Sequence, residues 1–140
     1  MKNLILTIVL TVLTSLSFAQ KGYIDLGKLK EIGSRKVLNE KVIEINQSDD
    51  STFYFTFKDY KYQTLINYES FVFNSSDSLY YHIMNCLKTG NSYYFTDSKG
   101  NTVNIYYGKS MGKGYVEIYY NIYKSIWCNE KHIKQLFGKL

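Results

Sequence analysis

Hydrophobic and polar residues alternate along much of the chain, and the period of that alternation predicts strands. Phe53, Phe55 and Phe57 alternate with Tyr54, Thr56 and Lys58, which puts three phenylalanines on one face of a strand. Just before them, Val42, Ile43 and Ile45 around Glu44 read as a shorter strand, and the polar cluster at 46–51 separates the two. Residues 59–61 make the next turn, and 62–73, rich in aromatic and branched residues, predict a strand or a bent pair of strands. Further on, 93–96 and 102–107 flank Asp97-Ser98-Lys99-Gly100-Asn101, a hairpin turn. Val116, Ile118, Tyr120 and Ile122 then alternate with Glu117, Tyr119 and Asn121. The stretch 20–40 is less regular. Tyr23, Ile24, Leu26, Leu29 and Ile32 fit one side of a short helix that Gly27 and Gly33 weaken, and a strand followed by a turn fits nearly as well.

The period lengthens to that of a helix twice. Ser76 is a suitable N-cap, Asp77 suits the positive helix end, and Leu79, Ile83, Cys86 and Leu87 follow at helical spacing. Gly90 can end that helix in the left-handed conformation without steric cost. A second helix starts near Asn129, with Ile133, Leu136, Phe137 and Leu140 as its apolar stripe. The order strands, helix, strands, helix predicts an α+β domain: an antiparallel β-sheet with two helices packed on one face. The other face would be open to solvent, with Tyr54, Tyr106, Tyr119 and Tyr123 standing on it. Tyr62, Leu65, Tyr80 and Ile83 match Tyr115, Ile118, Ile133 and Leu136 at a constant offset, a loose trace of an internal repeat.

The first residues follow a different pattern. Lys2 gives a positive head, 4–13 is an apolar run broken only by threonines, and Ser17 and Ala19 are small residues at a cleavage site. That order is that of a secretory signal peptide, and the run is shorter than the ~20 residues a membrane-crossing helix needs. The expected organisation is a signal peptide at 1–19 and a single domain at 20–140, secreted or periplasmic, with no transmembrane segment in the mature chain. A composition rich in Lys, Asn, Tyr and Ile fits a bacterial exported protein. The sequence holds 15 tyrosines against 8 phenylalanines and one tryptophan, an excess that favours half-buried pleated surfaces. Charge is uneven. Residues 20–80 carry 8 basic and 9 acidic side chains, whereas 81–140 carry 8 basic and 3 acidic. The second half is therefore a basic, tyrosine-rich surface that attracts anions.

Several groupings invite chemistry. Cys86 and Cys128 are the only cysteines, and an even count in an oxidising compartment predicts a disulfide between them. Both histidines lie four residues from a cysteine, so His82, Cys86, Cys128 and His132 would form a tetrahedral Cys2His2 metal set if the two helices sit side by side. The bridge and the metal exclude each other. The stretch 108–114 contains Gly108, Gly112 and Gly114 with Lys109 and Lys113, but Gly114 stands where a phosphate-binding loop needs Ser or Thr and a strand follows, so it reads as a flexible hairpin loop. No nucleophile–histidine–carboxylate order, metalloprotease motif or dinucleotide motif occurs.

These readings converge on an exported, non-enzymatic binding or interaction module with no cofactor. Its contact surface would be the open sheet face and the glycine–lysine loop: Tyr106, Tyr119, Tyr123, Lys109 and Lys113. Tyrosine offers rigid contact area with a polar tip, so the partner expected is a protein or an anionic glycan or lipid surface. Export argues against nucleic acid. A metal-binding protein using the Cys2His2 set, and a small hydrolase whose site is assembled only in three dimensions, are the alternatives.

Overall fold

The computed structural model describes residues 29–61 and 66–140. The expected signal segment 1–19, residues 20–28 and part of the run at 62–73 lie outside them. Strands β1 (Lys30–Val37), β2 (Glu40–Gln47), β3 (Phe53–Lys58) and β4 (Tyr68–Phe73) form an antiparallel meander. Helix α1 (Ser76–Thr89) follows. Strands β5 (Tyr93–Thr96), β6 (Thr102–Ser110), β7 (Lys113–Tyr120) and β8 (Tyr123–Lys124) form a second meander, and α2 (Glu130–Leu136) closes the chain. In the stretch before Lys41, the described residues form a strand over Lys30–Val37 and a turn at Leu38 and Asn39, while residues 20–28, which hold Tyr23, Ile24 and Leu26 of the alternative helix, lie outside them.

The fold is α+β and antiparallel, but it has two four-stranded sheets rather than one. The break falls where β4 runs into α1. The two sheets share a core instead of an edge. Phe71 of β4 stacks on Phe55 at 5.0 Å and meets Phe95 of β5 at 6.0 Å and Tyr120 of β7 at 5.7 Å. The alternation in β3 is as expected, with Phe55 and Phe57 fully buried, whereas Phe53 is only partly so. At one end the sheets are stitched by the backbone: Tyr60 N–H donates to Lys124 O at 2.7 Å, and Lys124 N–H donates to the Asp59 carboxylate at 3.1 Å. The helices do not share one sheet face either. α1 packs chiefly on β5, β6 and β7, α2 chiefly on β1 with β2, and the two helices touch each other.

The local signals are mostly in place. The α1 cap is Ser75, one residue before the expected Ser76, and its hydroxyl accepts from Ser78 N–H at 3.2 Å. Gly90 ends the helix at φ 78°. Asn129 caps α2 by accepting from His132 N–H. The stretch read as a flexible glycine loop is mostly strand. β6 continues to Ser110, β7 starts at Lys113, and only Met111 (φ 50°) and Gly112 (φ 76°) form the turn. The other two glycines there serve cross-strand packing. A Cβ on Gly108 would lie 2.5 Å from the Tyr115 ring, and one on Gly114 would lie 3.0 Å from the Tyr107 ring.

The expected disulfide is not formed. Cys86 and Cys128 are both free and buried, and they do not lie near each other. Redox compartment says nothing about distance, and a bridge needs Cβ atoms within about 4.5 Å. Cys86 faces the core from α1. Cys128 is fixed elsewhere by a two-way backbone bridge to Val116 and by a hydrogen bond from Arg35 Nη1 to its Sγ at 3.3 Å. Burial pushes the Cys128 thiol up to about 11, against the nearby Arg35 charge, and burial also raises Cys86. Intact mass of the protein is therefore expected to lack the ~2 Da deficit of a bridge, with two thiols alkylated after denaturation and little reaction before it. A bridged mass would mean that the chain folds differently around Arg35.

Candidate functional site

The register of β6 with β7 defines the outer face of the second sheet. Val103, Ile105, Val116 and Ile118 are buried, so Asn104, Tyr106, Glu117 and Tyr119, at the alternate positions, point away from the core. Tyr119 pairs with Asn104, Tyr106 with Glu117, Gly108 with Tyr115, and Ser110 with Lys113. On one flank Tyr94, strongly exposed, pairs with Asn104. On the other, Lys124 pairs with Tyr119. These pairings set a stripe of aromatic side chains, interspersed with polar ones, across the sheet. Tyr106 and Tyr119 meet edge-to-face at 6.3 Å, and Tyr115 meets Trp127 at 6.5 Å with 63° between the ring planes.

Charges along the stripe are organised around Glu117. Lys124 Nζ lies 2.9 Å from one Glu117 oxygen, and the Tyr119 hydroxyl donates to the other at 3.2 Å. That ion pair holds the Lys124 ammonium above its ordinary value. Burial and the Glu117 charge together raise the Tyr119 phenol. Trp127, the chain's one tryptophan, is 46% exposed although anchored. The buried Arg35 guanidinium lies 4.9 Å from its ring and donates to its backbone carbonyl, and His132 lies 5.6 Å away. His132 is held below its usual value by burial and by the Arg35 and Lys131 charges, and its Nδ1 accepts from Asn129 N–H. Beside these rings a groove of about 510 Å³ opens between the β6–β7 hairpin and the segment leading to α2.

Compared with known proteins, the chain matches no family model, and no curated protein or solved structure is significantly similar to it.

Of the five expected contact residues, Tyr106, Tyr119 and Lys113 fall on this one face. Lys109 pairs with Gly114, one position out of phase with Lys113, so it belongs to the opposite side of the hairpin. Tyr123 pairs with the inward-facing Tyr120 and packs against the core. The reason is the turn at Asn121 (φ 54°), which reverses the chain and shifts the phase: Ile122 is exposed and Tyr123 turns in. Tyr54 stands on the first sheet, opposite Val72, away from this stripe. Tyr115, Glu117, Lys124 and Trp127 were not among the expected contact residues. Tyr115 was within reach, because it continues the outward series of Glu117 and Tyr119. Trp127 follows a turn and carries no periodic signal.

The alternative Cys2His2 set is not assembled among the described residues. His82 stacks on Tyr93 at 4.1 Å with nearly parallel rings, and His132 belongs to the α2 cap. Among the described residues no group of three or more His, Cys, Asp or Glu lies close enough to hold a metal ion. A second hollow, of about 280 Å³, is lined by Ser78, His82 and Asp97, the residue types of a hydrolytic triad. Asp97, however, accepts from Lys99 N–H, Asn101 N–H and the Tyr120 hydroxyl, all at 2.8–2.9 Å. Burial works against its charge, but these donors outweigh burial and lower its carboxyl below the ordinary value. Its oxygens organise the β5–β6 turn rather than orient a histidine.

Proposed function

We propose that this chain is an exported, non-enzymatic binding module that recognises its partner, a protein or an anionic glycan or lipid surface, with the outer face of its second sheet. The observation that carries this reading is the aromatic stripe. Tyr94, Tyr106 and Trp127 are each at least 46% exposed on neighbouring strands or beside them, and rigid aromatics left in water at low conformational cost are what recognition surfaces are made of. The stripe also lies in the basic half of the chain, which favours an anionic partner. The outer face of the first sheet is different in kind. Lys58 and Tyr68 are occupied there by Glu40, which leaves an ion-paired surface.

The test is capture of cross-linked partners from the extracytoplasmic fraction by the mature protein and by a Tyr106→Ala/Tyr119→Ala variant of unchanged thermal midpoint. A species that wild type recovers and the variant loses at least tenfold supports the reading. Equal recovery by both proteins removes this face from it.

A further inference from the structure

We infer that the groove beside Trp127 is a binding site for an acidic saccharide, a chain of pyranose rings bearing uronate or sulfate groups. This deepens the proposal above and rests on its reading of the second sheet's outer face. The groove is lined by Met111, Lys113, Tyr115, Glu117, Trp127 and Asn129. Its volume, about 510 Å³, is that of a small-ligand site, which typically spans roughly 300–1,000 Å³.

The shape selects a ring with apolar faces and a polar rim. Trp127 and Tyr115 stand at 63° to each other as two walls of a corner. Both rings are set before any ligand arrives. Arg35 and His132 back the indole, and Tyr115 lies over the bare Cα of Gly108, where even a methyl group would collide with it. Preorganised walls spare a ligand the cost of ordering them. A pyranose offers C–H faces to such rings and hydroxyls around its edge. Glu117 is the acceptor for those hydroxyls. Lys124 and Tyr119 each occupy one of its oxygens, and an ionised carboxylate has about four lone-pair positions, so two are left.

Charge selects the acidic form. Lys113 is exposed on the groove, and among the described residues it forms no ion pair, whereas Lys124 is neutralised by Glu117. An extended acidic peptide fits less well. Along the outer edge of β7, Val116, Ile118 and Tyr120 are already taken by Cys128, Ser125 and Tyr123, which leaves a peptide strand little edge to join.

The single tryptophan makes the site its own reporter. Tetragalacturonate, a neutral galactose tetramer and tetraglutamate are titrated into the mature protein while Trp emission is followed, at low and at 0.5 M salt. The inference expects a saturable change with tetragalacturonate that weakens with salt. It also expects at least tenfold weaker binding of the neutral tetramer, and at least tenfold loss for Lys113→Glu with an unchanged melting midpoint. Calorimetry on Trp127→Ala should show no binding heat. Equal affinity for the neutral tetramer overturns the acidic assignment. Tetraglutamate binding as tightly as tetragalacturonate overturns the saccharide assignment in favour of a peptide. No response to tetragalacturonate also overturns it, while the broader reading still stands or falls on the Tyr106→Ala/Tyr119→Ala capture experiment.

Discussion

Phe71→Ala is expected to destabilise the protein by about 4 kcal/mol, the middle of the range for truncating a buried phenylalanine. Phe71 is fully buried and sits where the two sheets meet, among Phe55 and Phe73 of the first sheet and Phe95 and Tyr120 of the second. Removing it takes away the transfer free energy of the ring and leaves a void walled by rings on both sides. Collapse of that void needs the sheets themselves to approach, which the bonds from Tyr60 N–H to Lys124 O and from Lys124 N–H to the Asp59 carboxylate oppose. Domains of this size have total stabilities of about 5–15 kcal/mol, so the variant should be marginal at room temperature. Urea unfolding at constant slope measures the effect. Phe53→Ala is the control: Phe53 stacks on Phe73 at 5.3 Å but is only partly buried, and it should cost roughly half as much. A loss at Phe71 below about 2 kcal/mol would mean that the sheets close over the gap and that this ring does not join them.

Gly33→Ala is expected to cost about 3 kcal/mol, the effect of forcing an atom into a packed interface. A Cβ at that position would stand 2.5 Å from Gln135 O and 2.6 Å from Leu136 O. Those are backbone atoms at the end of α2, not flexible side-chain tips, so the helix must move off β1. The helix carries Ile133 and Leu136 into the core, and Phe137 follows them. The thermal midpoint should fall by roughly 12 °C, at about 4 °C per kcal/mol, and amide exchange should accelerate in α2 before it does in the second sheet. Gly112→Ala separates sterics from strain. Nothing lies within 4 Å of its Cβ, and only its φ of 76° resists the change, so the expected cost is about 1 kcal/mol. Equal costs at the two positions would show that α2 does not rest on Gly33.

Gly33 also shows how a residue can be seen in the sequence and misread. In a list of residues it weakens a helix. In the structure it lies in a strand, and its missing side chain is what lets a distant helix dock. The glycines at 108 and 114 follow the same logic. Read locally they loosen a loop, but each is the flat partner of a tyrosine on the next strand. The contact surface was legible only in part, for a related reason. Alternation placed Tyr106 and Tyr119 outward, and that held because both lie within strands of unbroken register. It failed for Tyr123 because the turn at Asn121 resets the phase, and a shift of one residue sends a side chain to the other face.

Local periodicity and turn chemistry decided what could be decided nearby: the strands from Phe53 and Val116, the two helices, the cap at Gly90 and the hairpin around Asp97. Each depends on neighbours within a few residues, so each is written in a short window. That the strands form two sheets, that α2 lies chiefly against β1 at the far end of the chain, that Cys86 and Cys128 stay apart, and that Trp127 shares a groove with Tyr115 are decided by contacts between distant segments. An apolar face states that it must be covered. What covers it depends on the shapes of every other face competing to do so, and only the folded chain settles that competition.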